Sequence, residues 1–341
     1  MALDLSAEIA RLRSLSVPSP PSWTAGNGLP RVVAALDVAW GKTRDANGTG
    51  GEEEVAVAVA AGFALDGARG GSLGAAPLFV EFEPREGVLR GPFPAYEAGK
   101  LFSREGPLLV PLMKRVIEKS AAAAAAAEAR ATEREEGERD DGGGEEGDSP
   151  QFPTVGLWLV DGFGELHPER FGCACALGAA AGGAPTAGVA KAMLSLGGGA
   201  SPSEKEARRG GGGGGGGGVG GGAGDGGRGY LECLSSPGME TWPIGDDGGG
   251  FPLAVAMRPS GRSGGGEGGG GGGEESSLPS PTSPPGRAAF VSAGHRVPLP
   301  AAARAVLACY DPMRRYRLPE PSRAADRLAR QRLREALLPR G

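Results

Sequence analysis

RVVAALDVAW, residues 31–40, sets an aspartate inside an otherwise apolar run. Valines and a tryptophan with no proline read as a buried strand. A carboxylate there must be paired or meet a cation, because burying it alone costs too much. VGLWLVDG, 155–162, repeats the arrangement and closes on Asp161. Either acid alone reads as the cap of a following turn. Two of them, on strands that can lie side by side, read as a site for a hard cation, which takes carboxylate oxygens. Working outward, EVAVAVAAGFAL (54–65) and APLFVEFE (76–83) are strands separated by Gly-rich, charged loops, which predicts an antiparallel meander. GPLLVPLMKRVIEKSAAAAAAAEA (106–129) predicts a helix running into poly-Ala, and RFGCACALGAAAG (170–182) a second. TAGVAK (186–191), PLAVAMRP (252–259) and RAAFVSAG (287–294) are further strands; PAAARAVLAC (300–309) and SRAADRLARQRLREALL (322–338) are helices. A meander followed by strand–helix alternation predicts an α/β fold, a mixed central sheet flanked by helices.

The chain has 341 residues, but 65 are Gly and 29 Pro. Three tracts, 120–148, 208–229 and 260–286, have too little hydrophobicity to bury a core and are expected to be disordered inserts. The remainder suits one α/β domain. We expect an N-terminal segment at 1–28 and a single domain at 29–338, interrupted at about 120–150, 197–229 and 260–286. Between Glu128 and Asp148 ten acids face three bases, so the net charge of −5 belongs to an insert. From Met313 onward nine Arg face three acids, which suits a polyanion partner or a merely solvated helix. Arg323, Arg327, Arg330 and Arg334 recur at offsets of 4, 3 and 4 and share one helix face. Cys173, Cys175, Cys233 and Cys309 show no CxxC spacing, so neither zinc nor a disulfide framework is implied. No run is long enough for a membrane span, and MALDLSAEIARLR lacks a secretory h-region; a cytoplasmic or nuclear home, the nucleolus included, is expected.

Three further stretches carry chemistry. In DGFGELHPERFG (161–172), Gly162 and Gly164 flank Phe163 and let the backbone approach a ligand, though an ordinary turn looks the same. PAYEAGKLFSREGP (94–107) offers Tyr96, Gly99 and, just before the predicted helix, Arg104–Glu105; Glu105 also reads as an acid favoured by the helix dipole. GVAK puts Lys191 at a strand end, where it can meet a phosphate or only water. The chain has two histidines, His167 in the first stretch and His295 in SAGHRVPL (292–299).

Taken in order, LDVAW, AYEAGKLFSREGP, LWLVDGFGELHPERFG, PTAGVAK, SAGHRVPL and LPEPSRAADRLAR resemble the endonuclease V family, from about Arg31 to about Arg330. The resemblance implies a ribonuclease-H-like fold and a metal-dependent endonuclease that hydrolyses a phosphodiester bond 3′ to inosine. It implies Asp37 and Asp161 as metal ligands with Glu105 completing the set, and Mg²⁺ as the ion with Mn²⁺ as a substitute. Lys191 matches the lysine beside the cleaved phosphate, and His295 a catalytic histidine that orients or deprotonates the attacking water. Tyr96 matches the wedge that fills the gap left by the extruded base. Gly99, Leu101, Gly162 and Gly164 match the hypoxanthine pocket, and His167 a histidine near the cleavage centre. Single-stranded RNA is the favoured substrate, by analogy with eukaryotic relatives; DNA is the alternative, and a non-catalytic nucleic-acid-binding platform is a weaker one. A monomer is expected. Ala95, Ala98, Ser103, Trp40 and Ala176 depart from the residues usual in the family.

Overall fold

A computed structural model describes residues 11, 29–44, 51–66, 72–74, 76–137, 152–192, 239–244, 252–259, 288–311 and 316–338. The second and third low-complexity tracts, residues 138–151, Cys233 and all of the 1–28 segment except Arg11 lie outside them. The strands are β1 (Val32–Arg44), β2 (Glu52–Asp66), β3 (Ser72–Leu73), β4 (Phe79–Glu83), β5 (Leu89–Arg90), β6 (Leu157–Asp161), β7 (Thr186–Ala190), β8 (Met239–Ile244), β9 (Ala254–Pro259) and β10 (Ala289–Ala293). The helices are α1 (Leu101–Gly137), α2 (Cys173–Ala180), α3 (Leu299–Ala308) and α4 (Glu320–Leu337).

All strands join one mixed sheet, ordered β3-β2-β1-β6-β7-β10-β9-β8, with β4 and β5 also on β2. β1 runs antiparallel to β2 over its whole length, Asp37 opposite Val59. Its other edge is parallel to β6 only from Val33↔Leu157 to Leu36↔Val160. β7 continues the parallel part, Asp161 opposite Val189, and β10 then returns antiparallel. The mixed sheet expected from the sequence is therefore present.

Strict alternation sorts β1 and β2 between two cores. Val33, Ala35, Ala39, Val55, Val57 and Val59 pack with α3 and α4. Ala34, Leu36, Val38, Ala56, Ala58 and Ala60 pack with Leu108, Leu112 and Val116 of α1 and Leu177 of α2. Helices thus cover both faces, and the many alanines on the strands suit close helix approach. Among the described residues no helix is long and apolar enough to cross a membrane.

Two expectations need correction. Gly106–Pro107 reads as a helix start, yet α1 begins at Leu101, so Arg104 and Glu105 lie inside it rather than before it. The helix predicted to 129 is present, but residues 130–137, which read only as part of a disordered insert, also belong to α1. Alanine is the best helix former, and a helix nucleated on a packed face extends at little cost. β8 has no strong signal in the sequence: METWPI sits between two glycine-rich tracts and carries an internal proline. The short β3 and β5 are equally silent there.

Leu112 is fully buried under the sheet, whereas Ala125 is exposed on the α1 extension. Leu112→Ala is expected to cost about 2–5 kcal/mol in urea unfolding. Ala125→Gly should reduce helical ellipticity and lower the unfolding free energy by no more than about 1 kcal/mol.

Candidate functional site

β1 outruns β6. Beyond Leu36↔Val160 the edge of β1 is free of β6, and Asp37 and Asp161 are the next residues on the two strands. Both have the parity of Ala35 and Leu159, which face α4. α1 brings Glu105 from the opposite side, where Trp40 donates its indole N–H to Glu105 Oε1 at 3.4 Å. Lys191, one residue past β7, reaches Asp161 Oδ2 at 2.7 Å.

These charges feel one another. Burial, then repulsion from Asp161, pushes Asp37 well above the ordinary carboxylate range, against the pull of Lys191; Asp326 and Glu105 push the same way. Burial raises Glu105 to about 7, with Asp161 adding to it and the Trp40 hydrogen bond, Arg104 and Lys191 opposing. Lys191 is raised despite its desolvation, because Asp161, Asp37 and Asp326 all favour its charge. Crowded, desolvated carboxylates are the groups a hard divalent ion relieves, so the donor chemistry fits Mg²⁺ or Mn²⁺. As the side chains stand, no group of three or more His, Cys, Asp or Glu among the described residues is close enough to form a metal centre. Lys191 supplies the positive charge instead.

Asp326, in α4, is the residue that sequence reasoning missed. It acts on both Asp37 and Lys191, yet in sequence it looks like half of a surface i,i+4 pair with Arg330, which it also forms at 2.8 Å. Its signal was present: the block LPEPSRAADRLAR contains it.

A cavity of about 620 Å³ adjoins the acids, and Glu105 and Asp161 open onto it. Five of the six residues expected to bind substrate line it: Tyr96, Gly99, Leu101, Gly162 and His167. Tyr96 is 66 % exposed at its mouth. Gly99 (φ +85°) and Gly162 (φ +130°) have backbone angles that disfavour other residues. Glu169 N–H donates to His167 Nδ1 at 3.2 Å, so the ring proton sits on Nε2 and is donated to Gly99 O at 2.9 Å. His167 thereby ties the loop after β6 to the loop before α1. Arg104 fixes the second loop from behind: its guanidinium donates to Pro94 O at 2.6 Å, pairs with Glu54 and lies 3.9 Å from the Trp40 ring centroid.

Gly164 and His295 are not brought to the cavity. The Gly164 N–H is donated to Ser292 Oγ at 2.8 Å, and a Cβ there would lie 1.8 Å from Ala293 O. That glycine serves close packing against β10. His295 follows the end of β10, and because β10 is antiparallel to β7 that end meets the start of β7, not its finish. Its N–H is donated to Thr186 Oγ1 at 2.8 Å. Thr186 stands opposite Trp158, three residues, roughly 10 Å, before the level of Asp161. The ring is 3 % exposed with Nδ1 unpartnered among the described residues, and burial then Arg296 lower its pKa. Arg296 itself donates to Gly183 O at 3.3 Å.

An endonuclease V family model matches residues 149–211 and 281–327. Human endonuclease V is 27 % identical over 242 residues, 71 % of this chain and 57 % of that protein. The Azotobacter vinelandii endonuclease V is 59 % identical over 46 residues, 14 % of this chain and 20 % of that protein. The chain thus spans little more than half the length of the human protein. Among solved structures, human ENDOV superposes with a TM-score of 0.55 at 23 % identity, covering 99 % of this chain and 100 % of that one. Ciona intestinalis endonuclease V, in complex with a 24mer DNA containing an inosine followed by a ribo-adenosine, gives 0.51 at 18 % identity, with 97 % of each chain covered. The likenesses bear out both the resemblance to endonuclease V and the ribonuclease-H-like fold.

Glu105 has a folded-state pKa of about 7 against 4.5 for the free group. A raised pKa means that the folded chain binds the proton more tightly. Stability is then full below pH 4.5, falls as pH rises to about 7, and stays low above it. In chelator, Glu105→Gln should therefore be more stable than the parent at pH 8, by on the order of 3 kcal/mol. The two melting curves should merge near pH 4; a constant gap across pH would contradict the assignment.

Proposed function

We propose that this chain is an endonuclease of the endonuclease V kind, a hydrolase that cuts a phosphodiester bond 3′ to inosine in single-stranded RNA, acting as a monomer in the cytoplasm or nucleus. One observation carries the reading: Asp37, Glu105 and Asp161 stand at a single sheet end, beside a glycine-lined cavity and next to one lysine. A structural ion pair needs one acid for one lysine, and no core needs three.

The residues divide the work by their chemistry. Asp37 and Asp161, with Glu105 completing the set, would hold Mg²⁺ or Mn²⁺, which when bound supplies charge neutralisation at the phosphate and the leaving 3′-oxygen. Lys191, paired with Asp161 at 2.7 Å, would stabilise negative charge growing on the phosphoryl oxygens. Glu105, on the cavity side of the set, would orient the attacking water and take its proton. His295 faces none of the three acids, so the reading leaves proton handling to Glu105. Tyr96, exposed at the cavity mouth, would stack in the position vacated by the extruded base. The cavity would take hypoxanthine, whose 6-oxo and N1–H edge suits main-chain donors and acceptors near Gly99 and Gly162. His167 keeps the two cavity loops together.

DNA is the second reading, favoured by the inosine-containing DNA bound to the Ciona relative. RNA is preferred by analogy with eukaryotic relatives.

The test uses purified protein and Asp37→Ala with labelled single strands of RNA and DNA, each carrying inosine or adenosine at one position. With Mg²⁺ the parent should break the inosine strand on its 3′ side and leave the adenosine strand whole. Asp37→Ala should lose roughly a thousandfold, the scale of several kcal/mol of charge stabilisation. Chelator should abolish cutting and Mn²⁺ restore it. Equal rates on the RNA and DNA strands would end the RNA preference. Cutting of no inosine strand, with either ion, would overturn the function.

A further inference from the structure

We propose that the outer face of α4 is a track for the phosphate backbone of the strand entering the site, carried chiefly by Arg327 and Arg334. The proposal rests on the nucleic-acid reading above and adds to it a surface outside the cleft.

The observations begin with helix geometry. At 3.6 residues per turn, Arg323, Arg327, Arg330 and Arg334 fall within an arc of about 60°. The opposite side of α4 is committed to the sheet through Ala325, Ala329 and Leu333. Asp326 lies between these two faces, and its charge is felt by both Asp37 and Lys191. The arginine stripe therefore borders the acid cluster. Arg330, paired with Asp326 at 2.8 Å, joins the two directly.

The four arginines are not equally engaged. Arg323 pairs with Glu320 at 2.5 Å and lies over the Tyr316 ring. Arg327 and Arg334 are exposed and have no ion-pair partner among the described residues. From Arg323 to Arg334 the stripe runs roughly 16 Å along the axis, the rise of four or five stacked nucleotides. Regularly spaced guanidiniums match regularly spaced phosphates, and each fork can hold two phosphate oxygens. The site also creates the need. A polyanion brought to Asp37, Glu105, Asp161 and Asp326 is repelled unless cations stand beside its path, and beyond Lys191 the α4 stripe offers them. Phosphate contacts of this kind hold a strand in place without reading its sequence.

The test measures binding of labelled single strands, with and without inosine, in chelator so that none is cut, across a range of salt. Wild type, R327A/R334A, R327K/R334K and R130A are compared; Arg130 is an exposed arginine on the α1 extension. R327A/R334A should bind both strands several-fold more weakly, with a log–log salt slope shallower by roughly 1.4, about 0.7 for each phosphate that no longer meets an arginine on a single strand. R327K/R334K should keep the slope, and R130A should match wild type. With Mg²⁺, the loss in R327A/R334A should fall on KM. If wild type cuts the inosine strand while R327A/R334A retains its affinity and slope, the track is wrong and the nuclease reading stands. An equal loss in R130A also refutes the track, since any surface charge would then serve. If wild type binds no strand at all, both fall together.

Discussion

The ladder between β1 and β6 stops after four pairs, at Leu36 and Val160, while β1 runs on for eight more residues. A parallel sheet buried on both faces has no place for a carboxylate until its ladder ends. Asp37 and Asp161 occupy the first positions after that point, one on each strand, and share a face. The apolar residues before them fill two cores, so the strands cannot slip without moving a whole hydrophobic set to the wrong side. The positions of the acids thus follow from the packing of residues that do no chemistry.

Around that notch, neutral and cationic groups keep the acids in place. Trp40 spans the gap between β1 and α1 and gives Glu105 a hydrogen bond, while Arg104 lies against its ring and holds Pro94. One cluster therefore locates both a site carboxylate and the loop bearing Tyr96. His167 works from the other side with a fixed tautomer, joining that loop to the one that follows Asp161. The cavity is bounded by two loops that are irregular in backbone but anchored at both ends.

Some of this is legible in the sequence. Asp37 and Asp161 interrupt apolar runs, which a strand tolerates only for a reason, and the order of strands and helices is readable from hydrophobic periodicity. Glu105 is not legible by physics alone: an acid beside Gly–Pro looks like a helix-dipole residue, and family resemblance singles it out. Gly162 and Gly164 look alike on either side of Phe163, yet one has φ +130° at the cavity and the other yields space to Ala293 O. His295 stands out by rarity and by its position at a strand end. Which end of the sheet that strand reaches depends on whether β10 is parallel or antiparallel to β7, and no local pattern encodes it. Asp326 is hidden for the converse reason, since its pairing with Arg330 is complete within the helix while its neighbours Asp37 and Lys191 are far away in sequence.

The Ala-rich extension of α1 has an electrostatic consequence. Glu105 and Glu128 lie on the same helix, 23 residues apart, which is roughly 35 Å along its axis. The screening length at physiological ionic strength is about 8 Å. Glu128 rides on this boom beyond four such lengths, where its potential at the cleft has decayed to almost nothing. A chain with net charge −5 thus sets Glu128 beyond an uncharged run of seven alanines, too far away to add to the repulsion among Asp37, Glu105 and Asp161.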